Sequence, residues 1–445
     1  MGHGVITRFH DTLVPLSGTA SDSDRLLAEI ASARIVSIGD GTHGTHEFYR
    51  ERSELTKQLI ARHGVTAVCI EGDWPDAYRV NRFVRGANED SEAVDALAGF
   101  SRFPTWMWRN AEVLDFIAWL REYNESARRF GRDVVGFYGL DLYSMYASID
   151  AVLAYLGRVD PAAESRARER YGCLEPFVEH PESYGSLVAH GLHPSCRSDV
   201  MAELLDIQRN AARYVRQDGM IAEDEYFYAE QNARIVTGAE RYYRAMLDDT
   251  VSTWNVRDIH MVDTLDRLMA HLARHGRKHK AVIWAHNSHI GDARATSMVL
   301  RRETNVGALL RDRYGREAAS IGMLTYGGTV TAAADWHAPD ERRIVRPART
   351  DSYEYFFHEQ GVPRFWVPLR SHRPAIDGLP EWSRERAIGV VYRPETELQS
   401  HYFTANLIRQ FDAVFHFDRT RAVEPLERSP QWSTGEVPET FPSGE

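Results

Sequence analysis

Apolar residues fall into two rhythms along this chain. Short unbroken runs, Ile35-Val-Ser-Ile, Ala67-Val-Cys-Ile, Val134-Val-Gly-Phe-Tyr-Gly-Leu and Ala281-Val-Ile-Trp-Ala, stop abruptly at glycine, acid or histidine, as buried parallel strands do. Between them, apolar positions return every three or four residues. That spacing predicts helices over residues 21–33, over Tyr49–His63 with Gly64 as its stop, over residues 73–85 entered through Pro75, and over the tryptophan-rich stretch Phe103–Leu120. From Met145 to about Leu272 the helical period takes over, in Ala147–Tyr155, Asp199–Arg216, Asp224–Leu247 and Val256–His271, broken by the Pro-, His- and Gly-bearing stretch His180–Cys196. Beyond Thr304 the strand pattern returns, with strands expected at Ala318–Leu324, Thr329–Ala332, Phe365–Leu369, 387–394 and Asp412–Asp418, and a helix at Ser352–Glu359. The expected architecture is α/β: a mostly parallel central sheet flanked by helices, with a large helical insertion that acts as a lid. Its divisions are residues 1–145 and 273–427 for the two parts of the α/β core, 146–272 for the insertion, and 428–445 for a surface tail.

The strand ends carry the chemistry. Ile35 to Arg52 reads as a strand, a tight turn at Gly39 and Gly41, and a helix capped by Thr42 or Thr45. Ligands of open α/β sheets bind at the carboxyl ends of the strands, where this turn would deliver Asp40, His43 and His46. Glu71, Asp141 and the pair His286 and His289 close the next three runs in the same way. A carboxylate ending an apolar strand is costly to bury without a partner or a task. Arg257 and Asp258 stand near a helix start, either facing this edge or pairing at the surface. Trp106, Trp108 and Trp119 either line a pocket or pack in the core. The Gly-x-Gly turn lacks the Gly-Lys-Ser/Thr of a phosphate loop.

Composition narrows the partners. With 445 residues, 43% of them hydrophobic and 26% charged, the chain can bury a large core. Its formal charge of -11, with acids and bases intermixed along the helices, suits solubility and opposes a nucleic-acid-binding surface. No apolar run approaches the roughly 20 residues that cross a bilayer, and the amino-terminal residues lack the pattern of a secretory signal. A small molecule, rather than nucleic acid or membrane, is the expected partner, and the cytoplasm the expected compartment. Cys69, Cys173 and Cys196 lie far apart without CxxC spacing, which predicts neither a disulfide framework nor a structural zinc site.

The motifs Gly39-Asp-Gly-Thr-His-Gly-Thr-His-Glu-Phe, Glu71-Gly-Asp-Trp-Pro-Asp-Ala-Tyr-Arg and Trp284-Ala-His-Asn-Ser-His resemble the erythromycin esterase family. The likeness extends over most of the chain, through Trp254-Asn-Val-Arg-Asp and Tyr392-Arg-Pro-Glu-Thr-Glu. It implies an α/β fold with a helical portion bordering a deep cleft. The family's first motif is typically Gly-Glu-x-x-His; its acid falls on Asp40 and its histidine, the proposed general base, on His43. The family's functional arginine falls on Arg52, its second glutamate on Glu71, and its later histidines on His286 and His289. Asp40 departs from the pattern by one methylene, which alters its contact with His43 or with a substrate. The resemblance does not fix the substrate, and a macrolide lactone is one candidate among several.

The same residues, taken for their chemistry, suit ester hydrolysis. His43, held in one tautomer by Glu71 or Asp40, can take a proton from water. Water is then the nucleophile, because the chain has no Gly-x-Ser-x-Gly elbow. Arg52, His286 or His289 would hold the oxyanion, a contact typically worth a few kcal/mol. The catalytic candidates are therefore Asp40, His43, Arg52, Glu71, His286 and His289, and the candidates for substrate contact are His46, Trp106, Asp141 and Arg257. No cofactor is required on this reading. An alternative binds zinc or manganese through His43, Glu71, His286 and His289, although the Arg52 cation opposes a metal nearby. Two further alternatives are a biosynthetic lyase, transferase or cyclodehydratase reusing the acid/base centre, and a non-catalytic binding protein with a decayed cleft.

Overall fold

The computed structural model describes residues 8–434 apart from 88–89, 217–219, 249, 371–375 and 377. Its strands are, in chain order, β1 (Val14–Pro15), β2 (Ile35–Ile38), β3 (Val65–Asp73), β4 (Gly136–Asp141), β5 (Lys280–Trp284), β6 (Ala318–Ala333), β7 (Asp340–Val345), β8 (Arg364–Pro368), β9 (Ser383–Arg386), β10 (Tyr402–Ala405) and β11 (Ala413–Thr420). Nine of them form one sheet in the order β1-β8-β11-β6-β2-β5-β3-β4, with β7 beside β6, while β9 and β10 form a separate ribbon. The central pairings β11–β6, β6–β2, β2–β5, β5–β3 and β3–β4 are parallel, and β1, β7 and β8 are added antiparallel.

Helices cover both faces, which is why the central strands read as continuous apolar runs rather than alternating ones. Val36, Ile38, Val68, Ile70 and Trp284 enter the apolar cluster on one face, and Ile35, Ala67, Cys69 and Ile283 the cluster on the other. The segment after β4 is helical, from Met145–Val159 to Thr253–Leu272. Much of it packs on a third apolar cluster that includes Met145, Val152, Leu156, Val200 and Val236. Its last helix differs. Thr253–Leu272, capped by the Ser252 hydroxyl, lays Met261, Val262, Leu265 and Leu268 against the cluster of the sheet and so brings its amino end to the sheet's carboxyl edge.

Local chemistry moves several predicted boundaries. The tryptophan-rich stretch is a single 3-10 turn, Thr105–Met107, followed by the helix Ala111–Arg129, because the Asn110 side chain accepts from Val113 N and starts the helix there. The two strands expected at Ala318–Leu324 and Thr329–Ala332 are one, β6. Gly328 carries the chain through at φ +139°, where a Cβ would lie 2.0 Å from the Thr420 carbonyl oxygen. Residues 387–394 form no strand of their own, since Ile388 spends its backbone groups on the first turn: its N donates to Gly41 O and its O accepts from His43 N. Cys173 and Cys196 are disulfide-bonded, against the expectation from their spacing, because the helix Ser183–Ala189 returns the chain to its starting point. The tail begins with a helix, Pro430–Thr434, and residues 435–445 lie outside those described. No helix among the described residues is long and apolar enough to cross a membrane.

Candidate active site

Strand ends β2, β3, β4 and β5 bring Asp40, His43, Glu71, Asp141, His286 and His289 together. All six are buried, and His43, at 6%, is the most exposed. Burial on this scale forces each ionised group to find a partner, so the pairings define the site.

His43 lies between two carboxylates. Its Nδ1 is 3.3 Å from Asp40 Oδ1, and neither atom has a hydrogen bond elsewhere; its Nε2 is 3.9 Å from Glu71 Oε1. Arg52 stands behind Asp40 and donates from Nη1 to Oδ2 at 2.8 Å. The rest of the Arg52 guanidinium sits in an aromatic cage of Tyr49, Trp284 and Trp108, at 4.4, 5.1 and 6.0 Å from the ring centroids, and its Nε and Nη2 have no hydrogen-bond acceptor. Burial pushes the Asp40 carboxyl up, but the charges of His43 and Arg52 outweigh it and hold the group below the usual range.

The opposite wall comes from the helix Thr253–Leu272. Arg257 grips Asp141 through Nε and Nη2, at 3.0 and 2.6 Å, and the same Nη2 donates to Glu71 Oε1 at 2.7 Å. Glu71 Oε2 accepts from His286 N at 2.9 Å. Burial opposes ionisation of Glu71, yet His289, Arg257 and His43 bring its carboxyl well below the ordinary value. His289 Nδ1 meets both oxygens of Asp258, at 2.9 and 3.0 Å, while its Nε2 lies 3.3 Å from Glu71 Oε1 and 3.0 Å from Arg257 Nη1. Burial lowers the pKa of this imidazole, but Asp258 and Glu71 prevail over that and over the neighbouring arginine, raising it to about 9. The Trp254 ring stacks parallel on it at 4.3 Å.

His286 behaves differently. Burial and the adjacent His43 push its pKa down to about 4, so it is neutral near pH 7. Its Nδ1 accepts from Ser288 N at 3.2 Å, which assigns the ring proton to Nε2, and that atom has no partner. The His286 and His43 ring centroids are 4.8 Å apart.

Two sequence candidates stand outside this cluster of contacts. His46, at the start of the helix His46–His63, pairs with Glu112, and Trp106 packs in the apolar cluster with Trp108 and Trp284. Arg257 and Asp141 are inside it, each engaged by the other. Three contributors were given no role from the sequence: Trp254 and Ser288, although both lie inside the motifs quoted above, and Tyr143, whose ring lies 4.9 Å from the Arg257 guanidinium. Trp254 opens the motif Trp254-Asn-Val-Arg-Asp and precedes Arg257 by one helical turn, which is the signal that could have placed it beside the site. The donor set does not fit a zinc or manganese ion in this arrangement. Among the described residues no three His, Cys, Asp or Glu side chains are grouped to hold a cation, and Arg257 already supplies the positive charge beside Glu71 and His289.

The sequence matches the family model described as erythromycin esterase over residues 60–420. Erythromycin esterase type II of Escherichia coli is 20% identical over 419 residues, covering 89% of this chain and 91% of that protein. A Bacillus cereus crystal structure superposes with a TM-score of 0.75 at 20% identity, covering 94% and 97% of the two chains. A crystal structure titled as a succinoglycan biosynthesis protein follows at 0.72, with 20% identity and coverages of 93% and 96%. A mutant of the erythromycin esterase EreC, in its open conformation, gives 0.65 at 18% identity, covering 93% and 97%.

Proposed function

The chain belongs to the erythromycin esterase family, and from that membership we propose that it hydrolyses a carboxylic ester or lactone with water activated by His43. The observation that carries the reading is the placement of one lightly held imidazole between two ionised carboxylates, beside a neutral histidine with an unused donor.

Asp40 accepts toward Nδ1–H of His43 and leaves the lone pair on Nε2, the tautomer a base needs. Nε2 takes a proton from water as the oxygen attacks the acyl carbon. Asp40 and Glu71 stabilise the imidazolium that results. The carbonyl π electrons move to oxygen, and His286 Nε2–H, a buried donor without a partner beside the His43 ring, receives that charge. Collapse of the tetrahedral intermediate breaks the bond to the alkoxy oxygen, and the His43 imidazolium returns its proton there, giving acid and alcohol. Arg52 acts on Asp40, Arg257 on Glu71 and Asp141, and His289 contributes a fixed positive charge. His46, Trp106, Asp141 and Arg257 remain the proposed surroundings of the bound ester.

The substrate is a small molecule, with a macrolide lactone among the candidates, and we assign the reaction to the cytoplasm. A screen of the purified chain against lactones and aryl esters, with and without a chelator, tests the proposal. Release of one acid per ester, indifferent to the chelator, is expected. Absence of turnover on every ester, or activity abolished by the chelator and restored by one metal, would overturn it.

A further inference from the structure

Between the two histidine-bearing turns lies a residue that the chemistry above does not use. Asn287 is fully buried and touches three other segments at once. Its backbone N donates to Asp40 O at 2.8 Å. Its side-chain Nδ2 donates to Met323 O at 3.0 Å and to Glu385 Oε1 at 3.4 Å, and its Oδ1 accepts from Met323 N at 3.3 Å. The amide and Met323 thus exchange donor and acceptor as two paired strand residues would. The position explains why: β2 ends at Ile38, whose partner on β6 is Ile321, and Gly39 N makes the last backbone bond to Ile321 O. Two residues further along β6, the asparagine side chain occupies the ladder position that β2 has vacated.

The glycines on either side of Asp40 record the same constraint. A Cβ on Gly39 would lie 2.2 Å from Asn287 Oδ1, and one on Gly41 would lie 2.8 Å from Met323 O. The turn that carries Asp40 and His43 is therefore seated directly on the Asn287 amide, while the preceding residue, His286, rides on the same backbone.

We propose that Asn287 is a positioning residue, which sets the His43 turn at its working distance from His286 and Glu71 by standing in for the missing strand residue. Only asparagine meets the requirement. Aspartate would face the Met323 carbonyl with a second acceptor, leucine offers neither donor nor acceptor, and glutamine is one methylene too long for the seat under Gly39. Glu385, behind the amide, is kept from charging the seat: burial and the neighbouring Glu354 hold its carboxyl well above the usual range.

The inference rests on the hydrolytic reading for its kinetic arm only. On an ester that the wild type cleaves, Asn287→Asp is expected to lower kcat by about 100-fold, the effect of displacing a reacting group by roughly 1 Å, with KM nearly unchanged and the acid limb of the kcat profile displaced. Gly39→Ala should fall similarly; adding Asn287→Ala should recover thermal midpoint over Gly39→Ala alone, because the atom that the new Cβ meets has been removed, but should not restore kcat, because the amide that seats the turn has gone. Asn287→Asp with kcat within threefold of wild type, a double variant no more thermostable than Gly39→Ala, or a double variant with wild-type kcat overturns the proposal. If Asn287→Asp does not fold, the melting midpoints of Gly39→Ala and the double variant decide. If no ester is cleaved, the hydrolytic reading fails alone, and the imidazole ¹H–¹⁵N correlations of His43 and His286 decide: they must move in Asn287→Ala, and unmoved signals overturn the positioning role.

Discussion

The two histidine-bearing turns are held in opposite ways. His289 is held on three sides, by both oxygens of Asp258, by Glu71 and by a parallel tryptophan. His43 has one long approach to Asp40 at Nδ1 and a longer one to Glu71 at Nε2. The difference follows from what each ring is asked to do. An imidazole whose charge is a constant part of the site's field can be locked by ionised partners. One that must gain and lose a proton in each turnover cannot be, since a tight ion pair would fix its state. Under the proposed reaction, His43 is therefore the working group and His289 part of the frame.

Substitution tests that division most strongly at His43. His43→Ala should lower kcat/KM by about 10³-fold, within the range general-base catalysis supplies, and leave the thermal midpoint close to wild type. Retention of a tenth of the activity would collapse the comparison. His289→Asn should act mainly on stability. Because the His289 pKa rises from 6.5 to about 9 on folding, its charged pairing stabilises the fold fully below pH 6.5 and is lost as pH climbs through 9, a change of at most about 3 kcal/mol. Urea unfolding of the wild type should show that decline between the two pH values, and the variant should lack it. A wild-type curve flat over the interval would mean His289 is not charged. The smallest effect is expected from Asp40→Glu, which supplies the family's usual acid. Asp40 has no exposed surface to expand into, so the added methylene should cost roughly 1–3 kcal/mol of stability and change kcat by less than tenfold, measured by melting and steady-state rates.

Much of this arrangement was legible in the sequence because it is local. Asp40, Glu71, Asp141 and His286 each follow an apolar run, and a parallel sheet puts the ends of such runs on one edge. The mostly parallel order of the central strands came from the same runs. What escaped was set by contacts between distant segments. Residues 387–394 look like a strand, but Ile388 bonds across to Gly41 and His43. The family resemblance singled out Arg52, but the aromatic cage that Trp108, Tyr49 and Trp284 build around it has no counterpart in the local pattern. Glu385, inside the polar run Ser383–Arg386, gives no sign in one dimension that it is buried beneath Asn287. The Cys173–Cys196 pairing depends on the path of the intervening helix, which spacing alone does not encode.

Arg257 and Asp258 reach the sheet edge only because the helix that carries them docks there. Trimming the protein to its strands and their flanking helices would take from Glu71 and Asp141 the guanidinium that hydrogen-bonds to both, and from His289 its Asp258 partner, in a medium that tolerates unpaired charge poorly. The long excursion after β4 is thus not an accessory that evolution or an engineer can exchange freely. Whatever replaces it must arrive with a guanidinium at the same place.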